Sequence, residues 1–151
     1  MAVMDEKDRA VLNAIQSDFP ISSNPFLDIG QKLGLSEEEV LRRVKHLKET
    51  GIIRRIGANI SPEKMNYIST LCAASVPDEK MALFTQTVNA YPGVTHNYVR
   101  DHLYNVWFTF IAPTREDIDR SLQEIEEKTG VLGILDLPAT HVFKIRAQFN
   151  V

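Results

Sequence analysis

The chain reads as an α+β protein with an N-terminal winged helix-turn-helix over residues 1–60 and a ferredoxin-like β-α-β-β-α-β domain over residues 61–151. Two patterns predict this. The first 60 residues hold three amphipathic or capped stretches broken by glycine, then a short β-branched run. Beyond them, period-two and helical stretches alternate in the order strand, helix, strand, strand, helix, strand. The bulk composition agrees: 151 residues, 44% hydrophobic and 25% charged, suit one domain or two small ones. Neither half buries much apolar surface alone, so packing between halves or between chains is expected.

In chain order, Asp5 to Ser17 places Ala10, Val11, Ala14 and Ile15 on one helical stripe, and Phe19-Pro20 ends it. Pro25 to Lys32 is a short helix with Gly34 as its stop. Ser36, with Glu39 three residues on, forms a capping-box pattern that opens a helix from Glu37 to Thr50, closed by Gly51. Ile52 to Ile60 reads as a tight hairpin, the wing. After a connection at 61–67, Ile68 to Val76 is a strand and Asp78 to Ala90 a helix. Val94 to Arg100 and Asn105 to Ile111 form a hairpin, and Thr114 caps a helix to Thr129. Val131 to Leu137 is ambiguous between states. Val142 to Phe149 reads as the last strand, with Phe143, Ile145, Ala147 and Phe149 on one face.

Several functions are disfavoured. The net charge of -3 gives no general attraction to nucleic acid, and residues 1–61 carry nine Lys/Arg against nine Asp/Glu. The helix that would read DNA begins Ser36-Glu37-Glu38-Glu39, and three carboxylates there repel phosphate. Arg42, Arg43, Lys45 and Lys48 form a basic stripe further along, read as a solvated face. Cys72 is the only cysteine, so no intrachain disulfide forms, which suits the cytoplasm. No apolar run approaches ~20 residues, so no membrane span is expected. Gly130-Val131-Leu132-Gly133 lacks the ending of a phosphate loop, and His96 and His102 lack the companions of a protein-built metal site. His46 and His141 have no partner in the pattern and read as structural.

Chemistry concentrates in the hairpin. With Asp101 to Tyr104 as the turn, Arg100 faces Asn105, Tyr98 faces Trp107 and His96 faces Thr109. Val99, Val106, Phe108 and Phe110 then form a core side. His96, Tyr98, Arg100, Asn105, Trp107 and Thr109 form a polar-aromatic plate on the face that the two helices leave uncovered. On one strand face His96 and Arg100 lie about 13 Å apart at a rise of ~3.3 Å per residue, a spacing suited to a broad, flat ligand with several acidic arms. Arg100 is a planar two-pronged carboxylate clamp; Lys144 and Arg146 of the last strand either add charge to the same face or are solvated edge charges. Tyr98 and Trp107 offer stacking surface. His102 stands in the turn, as readily a loop residue as a proton donor.

Leu35-Ser36, Arg43-Val44, Leu47 and Gly51-Ile52-Ile53 resemble the pattern of the Lrp/AsnC family across nearly the whole chain. Within it, Arg54-Arg55-Ile56-Gly57-Ala58, His96-Asn97-Tyr98-x-Arg100, Tyr104-Asn105-x-Trp107-Phe108-Thr109, and Leu137-Pro138 with Phe143-Lys144-Ile145 resemble the siroheme decarboxylases. That resemblance implies removal of two acetate carboxyls, at positions 12 and 18 of siroheme, to give 12,18-didecarboxysiroheme. It also implies a related paralogous subunit in a heterodimer or higher assembly, no required cofactor, and an iron tetrapyrrole as substrate. Loss of CO₂ from an acetate needs a proton, and histidine suits its delivery near neutral pH, so His96 is read as the general acid or proton relay with His102 as second candidate, or either histidine ligates the substrate iron. Arg100 anchors an acetate or propionate, helped by Lys144 or Arg146, Tyr98 and Trp107 flank the macrocycle, and Asn105 is a further substrate contact. The alternative is a transcriptional regulator of the same family that binds DNA and a small effector or heme. A catalytically silent subunit is a third reading.

Overall fold

The computed structural model describes residues 4–144 together with Phe149 and Val151. The chain divides into two compact units, Met1–Ala58 with Lys144–Val151 and Asn59–Phe143. Lys144, Phe149 and Val151, expected in the second domain, therefore group with the first.

The first unit holds α1 (Glu6–Ser17), α2 (Pro25–Leu33) and α3 (Glu37–Glu49) around Val11, Leu12, Ile29, Val40, Val44, Leu47 and Ile53. The capping box belongs to α1. The Asp8 amide donates to Asp5 Oδ1 at 2.7 Å and the Asp5 amide to Asp8 Oδ2 at 3.1 Å. At α3 only half of the expected box forms. Ser36 accepts from the Glu39 amide, but the Glu39 carboxylate turns to Arg42 and Arg43.

Arg43 also corrects the basic stripe. It is 8% exposed and donates to Asp5 at 2.8 Å, Asp8 at 2.6 Å and Glu39 at 2.8 Å. The cap of α1 thus doubles as the acceptor that ties α1 to α3. Burial opposes the Arg43 charge, but its hydrogen bonds to the Asp5, Asp8 and Glu39 carboxylates outweigh it and hold the group charged beyond its ordinary range.

The wing does not form strands: Ile52 to Ile60 carries no regular pairing. Ile53 is drawn into the core beside α3, its amide donating to Leu47 O at 2.9 Å, while Ile52, Ile56 and Ile60 stay exposed. A two-stranded ribbon without a third strand is marginal, and here packing of Ile53 wins. At the C-terminus, Gln16 of α1 clamps the Phe149 main chain, accepting its N–H and donating to its carbonyl, both at 2.9 Å. Asn13 donates to the Val151 carbonyl at 2.9 Å.

The second unit is a four-stranded antiparallel sheet of order β2-β3-β1-β4, with β1 Ile68–Ala74, β2 Val94–Val99, β3 Val106–Ala112 and β4 Leu135–Pro138. The helices α4 (Met81–Asn89, entered through a 3₁₀ turn at Asp78–Lys80) and α5 (Arg115–Thr129) supply Phe84, Val88, Ile118, Leu122 and Ile125. These cover Cys72, Ala74, Val106, Phe108 and Phe110 on one face. Thr114 caps α5 as expected.

Among the described residues the fourth strand falls in the segment that the sequence leaves ambiguous. Val142 to Lys144 carries no strand, and residues 145–148 and 150 lie outside the described residues. Leu135-Asp136-Leu137-Pro138 is short, but Asp136 accepts from the Thr70 hydroxyl and pairs with Arg115 of α5, fastening it to β1 and to the helix layer. Pro138, which has no N–H to give, ends it.

Candidate functional site

The hairpin register is the one the sequence predicts. His96 pairs with Thr109, Tyr98 with Trp107 and Val99 with Val106, and the Arg100 amide donates to Asn105 O at 2.7 Å. One assignment fails: Val99 is 64% exposed, because it lies at the end of edge strand β2 where the helix layer no longer reaches.

On the face turned away from α4 and α5, two side chains of β2, His96 and Tyr98, form a row with Arg100 just beyond the strand's end. The His96 and Tyr98 rings stack at 6.0 Å with 26° between planes, and the Arg100 guanidinium sits 6.0 Å from the Tyr98 ring centre. The structure therefore brings His96 and Tyr98 of β2 together with Arg100 at the start of the turn, with Trp107 and Thr109 beside the two strand residues on β3. Trp107 contributes its ring alone, since its indole N–H donates to Tyr104 O at 2.7 Å.

Asn105 is engaged elsewhere. Its carbonyl accepts from the Val76 amide and its NH₂ donates to the Val76 carbonyl, both at 2.8 Å, so it joins the hairpin to the segment after β1. Asn105→Ala removes both bonds from a half-buried site and is expected to lower stability by about 1–3 kcal/mol, read from the denaturant midpoint of the full chain. His102 is held by its own turn. Its Nδ1 accepts from the Tyr104 amide at 3.1 Å and its ring lies 6.3 Å from that of Tyr104, so the neutral ring carries its proton on Nε2. Lys144 is exposed in the first unit and outside any strand; Arg146 lies outside the described residues.

The rest of the face was not foreseen. Leu71 and Leu137 are each 41% exposed on it, beside Ala73 and Leu135. Beyond Thr109 a groove of about 280 Å³ opens between Ile60, Pro62, Met65, Tyr67 and Ile111. The alternation of β1 held that signal: Leu71 stands between Thr70 and Cys72, which face the core. Cys72 offers no nucleophile, because burial pushes its thiol up to about 12, against a small opposing effect of Arg115. Among the described residues no group of three or more His, Cys, Asp or Glu is placed to hold a metal ion, and no helix is long and apolar enough to cross a membrane.

A three-helix unit followed by a sheet of this order and an open face is the architecture of the Lrp/AsnC class. Residues 64–144 match the AsnC-like ligand binding domain, and the AsnC family transcriptional regulator from Agrobacterium tumefaciens superposes with a TM-score of 0.78 over 97% of this chain and 96% of its own, at 24% identity. Residues 8–54 match the siroheme decarboxylase NirDL-like HTH domain. The siroheme decarboxylase alpha subunit of Desulfovibrio desulfuricans is 54% identical over 100% of this chain and 87% of its own length. The chain belongs to the siroheme decarboxylase family. The siroheme decarboxylase NirDL, crystallised with an iron-uroporphyrin III analogue, matches 95% of this chain at 31% identity and a TM-score of 0.69; this chain spans 48% of that one.

Proposed function

We propose that this chain is one subunit of a siroheme decarboxylase, the counterpart of the alpha subunit, and that it acts with a related subunit in the cytoplasm to convert siroheme to 12,18-didecarboxysiroheme. The observation that carries this is the His96, Tyr98 and Arg100 row on the open sheet face of a chain 54% identical to an alpha subunit.

Each loss of CO₂ breaks the bond between an acetate methylene and its carboxyl carbon. The electron pair stays on the methylene, and one proton turns it into a methyl group. Siroheme is the substrate, and the chemistry asks this chain for two things: a proton donor at the reacting acetate and cations for the carboxylates that remain. His96 suits the first. Its alternatives are His102 as donor, or ligation of the substrate iron by either histidine. Arg100 clamps a carboxylate two-pronged, with Lys144 and Arg146 as further carboxylate partners. Tyr98 and the Trp107 ring lie against the macrocycle, and Asn105 supports the turn beside them.

The open face also supports a partner. Leu71, Leu137 and Tyr98 leave an apolar patch of the kind a second subunit covers. The first unit does not support DNA recognition: Glu37, Glu38 and Glu39 open α3, and Arg43 is enclosed by carboxylates.

The test is turnover of siroheme by this chain with and without the related subunit. Product is identified by mass and absorbance, and released CO₂ is counted. Turnover in the mixture, with two CO₂ per tetrapyrrole, is the expected result. Its absence, together with salt-dependent binding to promoter DNA, would make the chain a regulator instead.

A further inference from the structure

Strand β2 is not regular. Val94 pairs with Phe110 and His96 with Thr109, so Thr95 is an extra residue on the bulged strand. The upstream side is pinned: Gly93 O accepts from the Ile111 amide at 2.9 Å, and a Cβ on Gly93 would collide with the Ile111 carbonyl. The downstream side is pinned by Tyr98 against Trp107 and Val99 against Val106. In an unbroken strand His96 would share the helix-covered face of Val94, two residues before it. Taking Thr95 out of the pairing is what turns His96 to the open face.

Thr95 does more than fill the bulge. Its Oγ1 lies 3.0 Å from His96 Nδ1, while the stack on Tyr98 fixes the plane of the ring. Nε2 is left as the ring nitrogen free to meet a ligand. Donation of a proton from Nε2 of the imidazolium leaves the remaining proton on Nδ1, where the Thr95 hydroxyl accepts it. One partner thus suits the ring before and after transfer, with no side-chain movement.

We infer that Thr95 is a positioning residue for His96, holding Nδ1 so that Nε2 faces the substrate. The inference rests on His96 acting as proton donor in the reaction proposed above. Thr95 is exposed, so Thr95→Val keeps the β-branched shape without opening a cavity, and Thr95→Ser keeps the hydroxyl.

The experiment assays both variants and His96→Ala with the related subunit present, measuring kcat and KM for siroheme. Thr95→Val is expected to lose roughly threefold to tenfold in kcat, the effect of one lost hydrogen bond, with KM unchanged. Thr95→Ser is expected to restore it. Equal losses in Val and Ser, or wild-type kcat in Val while His96→Ala is inactive, would overturn the positioning role and leave the proposed function standing. Full activity in His96→Ala would overturn the role of His96 and this inference with it. Unaltered thermal unfolding of each variant chain confirms that kcat reports the site. A Val variant that fails to fold is replaced by Thr95→Ala, judged against Ser by the same criteria.

Discussion

Replacing His96 by alanine is expected to lower siroheme turnover by roughly 10²-fold or more, the usual contribution of a positioned general acid, while KM changes little. The reason lies in what surrounds the ring. In the proposed site Arg100 and the aromatic pair Tyr98 and Trp107 would still hold the substrate, so binding is expected to survive and proton delivery is not. The measurement is steady-state CO₂ release by the complex with the related subunit, with His102→Ala in parallel. Loss confined to His102→Ala would move the donor to the turn, where the Tyr104 amide already orients the ring. Full activity in both would remove proton delivery from this hairpin.

The second large effect is on stability. Arg43→Ala is expected to destabilise the first unit by about 2–4 kcal/mol, somewhat less than is usual for breaking a fully buried pair, because Asp5 stands half in water. What remains is Asp8, 7% exposed and without its cation. A fall in Tm of roughly 10 °C or more follows for a unit of this size. The pH dependence has a definite sign. Asp5 is held below the usual carboxylate range by the Asp8 amide and then by Arg43, and Glu39 by Arg42 and then by Arg43. A depressed folded-state pKa contributes stability above the unfolded value, near pH 4, and that contribution disappears as pH falls through the folded value. The wild-type chain therefore loses stability on acidification below about pH 4. The Arg43 variant should show a shallower acid limb, though not a flat one, because the Asp8 amide and Arg42 remain. Equal Tm values for variant and wild type at pH 7 would show that the network adds nothing.

The same residues mark where sequence reasoning succeeds and where it stops. Helical caps are local events, and Ser36, Gly34 and Thr114 stand where the pattern puts them. The hairpin register was equally legible, because two adjacent strands with alternating faces leave one solution once the turn is placed. The plate followed from that register. What failed depended on partners distant in sequence. Arg43 looks like a surface cation until α1 brings Asp5 and Asp8 to it across 38 and 35 residues. Asn105 looks like a plate residue until Val76 takes its amide. Four residues, Leu135 to Pro138, are too few for a period-two signal to exceed noise, so β4 declared itself only through Asp136, Thr70 and Arg115. The Thr95 bulge escaped for a different reason: one extra residue changes the parity of a strand without altering its composition.

Cys72 gives this architecture a practical handle. It is the chain's one cysteine, fully buried beneath the helices of the sheet unit, with its thiol pushed up to about 12. A thiol-labelling reagent therefore reaches it only when that unit opens, so the rate of modification is a clock for opening of the sheet alone. Run beside a helix signal from the first unit, it separates the two halves of the chain without an introduced probe. It also tells whether siroheme or a partner subunit, added to the intact protein, closes the half that carries His96.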